Sequence, residues 1–319
     1  MNTKQMKFAL AAIALGVASI GAQAAPAVLD TGLVRRMGVG DNGGLAQGVG
    51  VGLSGPTGDA ITPGCLCEGW GASASGTTGY TYGAIGNSGI LSALLTTTTA
   101  SGAGLSAQSV VSLSNGLQVT HTYTSAAGGK LFKVAVDLKN TGAGTLTDVR
   151  YARTLDWDVT PGYFSSNFTT VYGGTPTGPG GKVLTTSTDP FAVPDPLVFR
   201  AQDQDTNVVD TPGDKGGFFV FGFGDLAAGE SADFDTFIGA DSSTSGLLAA
   251  LSSVGVEAYS YTNGSTPGTD GFRFAPAYGY GFVGLGLPPA LAPEPGSMAL
   301  VGLALAGVAG LRRRKVIAN

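Results

Sequence analysis

The chain has 319 residues, 53 of them glycine, and a formal net charge of −5 from 17 basic and 22 acidic residues. With only 12% charged residues, about half the ordinary globular fraction of about 25%, and few cations away from its ends, it offers no basic surface for nucleic acid. It has one histidine, so any Ser-His-Asp or Cys-His nucleophile would have to use His121, and a metal site with two histidines is excluded.

Met1 to Lys7 carries Lys4 and Lys7 and no acid, Phe8 to Ile20 is apolar, and Ala22-Gln23-Ala24 supplies small residues for signal peptidase. Residues 1–24 are therefore expected to be a signal helix, removed by cleavage between Ala24 and Ala25. Residues 25–288 form the body, predicted as one large antiparallel β-sandwich with a single short helix, because Gly, Ser and Thr enrichment suits strands and turns. Its glycine-rich lead-in, 25–60, contains "GVGDNGGLAQGVGVGLSGPTG" from Gly38 to Gly58, which reads either as loosely ordered chain or as β-turns packed on the body. Cys65 and Cys67 are the only cysteines. A tight local disulfide suits an oxidising compartment, with free thiols or an intermolecular bridge as the alternatives.

Period-two patterns begin at "GLQVTHTYT", where Leu117, Val119, His121 and Tyr123 share one face and Thr120, Thr122 and Thr124 the other. His121 thus falls on an apolar face, as a core histidine would. "KLFKVAVDLKN" repeats the alternation with Phe132, Val134, Val136 and Leu138, and "SAAGG" before it reads as a hairpin connection. In "GTLTDVRYARTLDWDV" the parity puts Arg150, Asp156 and Asp158 on one face and Arg153 and Trp157 on the other. Paired carboxylates suggest glycoside hydrolysis, but that chemistry needs two acids flanking the sugar, and residues two apart on one strand do not flank it. The expected role is an acidic strand end with an internal Arg partner and Trp157 buried in the sandwich.

"DQDTNVVDTPGD", Asp203 to Asp214, offers oxygen ligands for calcium from Asp203, Asp205 and Asp210, with Asn207 and Asp214 nearby. It lacks the glycine and glutamate of an EF-hand loop, so a solvated acidic turn is the alternative. No other cofactor is expected. "GGFFVFGFG" from Gly216 and "SADFDTFIGA" from Ser231 read as strands, and "SSTSGLLAALSSVG" as the one helix, capped within Ser242 to Ser245 and stopped at Gly255.

The end of the chain has three parts in order. A linker, 289–297, holds Pro293, Glu294 and Pro295; Met298 to Leu311 is uncharged and apolar; Arg312, Arg313, Arg314 and Lys315 follow, within a tail of 298–319. As a transmembrane helix the apolar run covers about 21 Å of a bilayer core of about 30 Å. The basic cluster would hold its end on the cytoplasmic side. This arrangement resembles the PEP-CTERM sorting signal of exported proteins of Gram-negative bacteria. The resemblance implies recognition by exosortase, a membrane-embedded cysteine transpeptidase that cleaves near the Pro-Glu-Pro, after a transient membrane-anchored stage. It also implies delivery to the cell surface or beyond, in company with exopolysaccharide. "CLCEGWG", "VRYARTLDWDV" and "GFFVFGFGDLAAGES" are similar to recurring segments of such proteins and bring no activity with them. The expectation is a non-enzymatic surface or matrix protein. The alternative is a secreted carbohydrate-binding or glycoside-acting protein using Asp156, Asp158, Tyr163 and Phe164.

Overall fold

The computed structural model describes residues 26–31, 35–100, 104–165, 167–173, 182–198, 207–264 and 273–291. The signal segment with Ala24 and Ala25, Asp203 and Asp205, and the tail with Pro293, Glu294, Pro295, Arg312, Arg313 and Arg314 lie outside these residues. No helix among the described residues is long and apolar enough to cross a membrane.

Turn-forming glycines divide the lead-in into strands β1 (Ala27–Asp30), β2 (Arg36–Val39), β3 (Leu53–Gly55) and β4 (Gly58–Asp59), which make a small sheet in that order. Leu29, Met37, Val39, Leu45 and Leu53 are buried and join the main core, so this stretch is packed on the body. Nine strands follow along the chain up to Tyr172. They are β5 (Glu68–Ala74), β6 (Thr77–Tyr82), β7 (Gly86–Ser88), β8 (Ile90–Ala100), β9 (Gly104–Leu113), β10 (Leu117–Ala126), β11 (Leu131–Asn140), β12 (Leu146–Asp156) and β13 (Asn167–Tyr172). After these come β14 (Val183–Ser187), β15 (Asn207–Gly213), β16 (Gly216–Leu226), β17 (Ser231–Asp241), helix α1 (Thr244–Ser253), β18 (Ala258–Asn263) and β19 (Ala277–Val283).

These strands form two large antiparallel sheets. One has nine strands in the order β15-β13-β18-β19-β17-β11-β10-β9-β8, and the other has six in the order β14-β16-β12-β5-β6-β7. Their inner faces meet in a sandwich-like core of rings. Phe221 of the six-stranded sheet lies 4.6 Å from Phe282 and 5.8 Å from Phe234, and Tyr151 lies 5.0 Å from Phe234. Burying each such ring contributes about 1.5–3 kcal/mol.

β10 alternates buried and half-buried residues from Leu117 to Thr124, as its sequence predicts. β12 does not, being buried at every position from Tyr151 to Asp156. Its outer neighbours carry a cover: Ala192 packs with Ala152, Phe218 and Val220, and the carbonyl of Pro194 lies where a Cβ on Gly71 would stand. A strand covered on both faces loses its alternation.

Helix α1 starts where Ser243 Oγ accepts the backbone N–H of Gly246 at 3.0 Å. It buries Leu247 and Leu251 against Val256 and Ala277. Packing continues past the expected body boundary at 288. The Ala290 N–H donates to the Val256 carbonyl at 2.7 Å, and the Ser252 hydroxyl donates to the Leu291 carbonyl.

Candidate functional site

β12 ends at Asp156, and the next two residues keep the extended alternation that sends Trp157 and its neighbours to opposite sides. Trp157 is fully buried, with its indole N–H donating to Ser260 Oγ at 3.1 Å and its ring 5.6 Å from that of Tyr280. Asp156 and Asp158 go the other way and are also buried. Their backbones are fixed by bonds from the Asp156 N–H to the Cys67 carbonyl and from the Asp158 N–H to the Ala60 carbonyl, both 3.0 Å.

A third carboxylate meets them. Asp214 lies between β15 and β16, held on one side by the pairing of Gly213 with Asn167 and on the other by that of Gly216 with Asp156. Asp156, Asp158 and Asp214 each offer an oxygen within 4.8 Å of the others. Burial pushes the Asp156 carboxyl up to about 8, and repulsion from Asp158 and Asp214 adds to the rise. Burial and then Asp214 push Asp158 up to about 7, and burial raises Asp214. Among the described residues none of the three belongs to an ion pair. Asp156 Oδ1, both oxygens of Asp158 and Asp214 Oδ1 are buried without a hydrogen-bond partner.

The surroundings of this corner are specific. Asn167 is fully buried; its amide N–H donates to the Trp157 carbonyl, and its Oδ1 has no partner. Cys65 and Cys67 are joined as a disulfide, with Cys65 Sγ 3.4 Å from Asp156 Oδ2. Bonded to each other, these sulfurs supply no thiolate to the corner. Gly64, at φ +71°, threads between Phe164 and Asp158: a Cβ there would stand 2.5 Å from the Phe164 ring and 3.1 Å from Asp158 Oδ2. Phe164 and Tyr163 are exposed beside it, their rings 5.9 Å apart.

A second polar cluster is sealed between the sheets. Arg153 Nη2 pairs with Glu68 Oε1, and Glu68 Oε2 accepts the Leu45 N–H at 2.6 Å. Burial pushes the Glu68 carboxyl up to about 7 against the opposing pull of Arg153. His121 Nε2 and the Tyr151 hydroxyl are 3.0 Å apart, and the His121 ring lies 4.7 Å from that of Trp70. Burial, and then the Arg153 charge, hold the imidazole well below its ordinary range, so it is neutral at pH 7. His121, Glu68 and Arg153 are all at most 2% exposed, enclosed between the sheets.

The expected calcium loop is divided by the structure. Asp203 and Asp205 fall outside the described residues, whereas Asp210 lies within β15, because the β-branched run of Val208, Val209 and Thr211 pairs with β13. Asp214, at the end of that segment, is the member that reaches Asp156 and Asp158. The sequence holds both halves of this cluster, the Asp-x-Asp of β12 and Asp214. It gives no sign of the strand order that joins them, nor of Asn167.

Among the described residues the body is thus mainly β, with three antiparallel sheets and one α-helix, and Leu291 is its last described residue. Residues 291–315 match the PEP-CTERM protein-sorting motif. The chain therefore carries an exosortase sorting signal, which marks an exported protein that reaches the surface through a membrane-anchored intermediate. No curated protein matches the chain.

Proposed function

We propose that the mature protein is a non-enzymatic component of the cell surface or extracellular matrix, associated with exopolysaccharide or biofilm and delivered there by its tail. The observation that carries this reading is the sorting motif at 291–315, which begins at Leu291, a residue held on the body by Ser252. The burial of the chemistry supports it. His121 is sealed in the core, and Asp156 and Asp158 are buried side by side rather than facing each other across a groove. A hollow of about 210 Å³ is lined mainly by apolar groups, among them Ile85, Ala192, Val193, Val198 and Phe218.

A sugar-binding role has one observation in its favour, the exposed pair Tyr163 and Phe164. Adjacent rings of this kind are able to stack on a sugar face. A glycan array on the mature protein tests this reading, with loss of any signal expected in a Tyr163→Ala, Phe164→Ala double variant.

The delivery step is tested by replacing Pro293, Glu294 and Pro295 with alanine in cells that express an exosortase. The apolar run and the arginines are unchanged, so the variant should stay full-length and membrane-bound, while the wild type should lose its tail. Mass spectrometry of the wild-type product decides the matter. A mature chain still ending at Asn319 would overturn the reading.

A further inference from the structure

Three carboxylates share one buried corner, and no Lys or Arg among the described residues pairs with them. Ionised acids cannot be left unpaired out of water, so this corner holds either protons or a cation. Asn167 stands beside both acidic segments. Its amide nitrogen is committed to the carbonyl of Trp157, the residue between Asp156 and Asp158, and its backbone pairs with Gly213, the neighbour of Asp214. The side chain therefore lies between both acidic segments, fully buried, with a bare neutral oxygen. Three carboxylates and an amide oxygen form a donor set for a hard cation.

The nearest sulfurs are bonded to each other, which leaves oxygen as the ligand and disfavours soft metals. Calcium takes six to eight oxygens at about 2.3–2.6 Å, so ligands on opposite sides of it stand up to about 5 Å apart. One oxygen from each of the three carboxylates lies within 4.8 Å of the other two. Magnesium demands a tighter, near-ideal octahedron and keeps several waters, which suits a buried, irregular corner less well.

We propose that Asp156, Asp158 and Asp214, with Asn167 Oδ1, form a calcium site that ties the two large sheets together at one corner. Asp156 ends β12 of the six-stranded sheet, while Asn167 begins β13 of the nine-stranded one. Asp214 lies on the short link by which the chain passes from β15 to β16, between the same two sheets. The ion would cross-link strands far apart in sequence and would bind the folded state alone. This site is separate from Asp203, Asp205 and Asp210, the ligands suggested by sequence spacing.

Thermal unfolding of the full-length protein in detergent, at constant ionic strength, provides the test. At about 10 mM calcium, against a chelator, a site in the affinity range of extracellular modules should raise Tm by roughly 5–10 °C. Magnesium should give less than half of that shift. Asp158→Asn and Asp214→Asn should each abolish the calcium shift, Asn167→Ala should reduce it, and Asp210→Asn should preserve it. Asp214 is half-buried at the edge of the corner, so its variant decides the matter if Asp158→Asn fails to fold. The proposal is overturned if calcium leaves the wild-type Tm unchanged, if magnesium matches calcium, or if the shift survives in Asp214→Asn. A wild type indifferent to calcium beside an Asp158→Asn variant that melts higher would show that protons hold the corner, and would equally end the proposal.

Discussion

Arg153 is held between the two sheets at 2% exposure with Glu68 as its ion-pair partner. A buried pair adds little net stability, because desolvation offsets attraction, but removing one member strands the other. Glu68→Gln should therefore cost about 3–5 kcal/mol, and the double variant Glu68→Gln, Arg153→Met should recover part of that loss, measured by urea unfolding. Asp241, also buried, shows the opposite balance. Burial would raise its carboxyl, but the hydrogen bond from Lys130, the Ser243 N–H and the Arg35 charge together lower it. A lowered native pKa means that, as pH falls, the unfolded chain takes up its proton first. The stability gap between wild type and Asp241→Asn should accordingly be full above the ordinary value of 3.8 and close as pH drops below it. Parity along "TLDWDV" placed Trp157 and Asp156 on opposite sides, and the structure does the same. What parity cannot carry is the identity of the partners across space, and so Asp214 and Asn167 emerged only with the fold.

Among the elements, those with local signals were readable. β10 and β11 alternate cleanly because one face meets the core and the other is half-exposed. α1 was marked by its serines and by Gly255, which takes φ +73° just past its end. Ser243 is the cap, and Ser243→Ala should cost about 1 kcal/mol in chemical unfolding, with no effect if another serine takes its place. β12 was only partly readable, since the segment around Ala192 and Pro194 covers its second face and no short-range pattern announces that cover. The lead-in left two readings open because glycines allow both. Buried Met37, Val39 and Leu53, in strands separated by positive-φ glycines such as Gly43 and Gly48, decide for packed turns. The acidic segment misled for the opposite reason: its aspartates suggested a loop, while its β-branched residues paired as β15.

Across the whole molecule, the body and its sorting signal meet without a gap. The sorting motif starts at residue 291, the same residue whose carbonyl accepts the Ser252 hydroxyl. From Leu291 to Pro293 there are two peptide units, a reach of at most about 7.6 Å at about 3.8 Å each. Any enzyme that cleaves near the Pro-Glu-Pro must therefore work close against the body, beside the end of α1. Glu257 fixes this exit, its two carboxylate oxygens accepting the N–H groups of Gly284 and Leu287, each at 2.9 Å. Removing that carboxylate leaves both donors to find water, at a local cost of about 1–3 kcal/mol. In Glu257→Ala the segment 284–291 should come away from the body while the ring-packed core between the sheets stays intact. Limited proteolysis should then show a new first cut within 284–291, with Tm little changed and tail removal at least as complete as in the wild type. An unchanged cleavage pattern would mean that Ala290 and Leu291 hold the exit without Glu257, through their bonds to Val256 and Ser252.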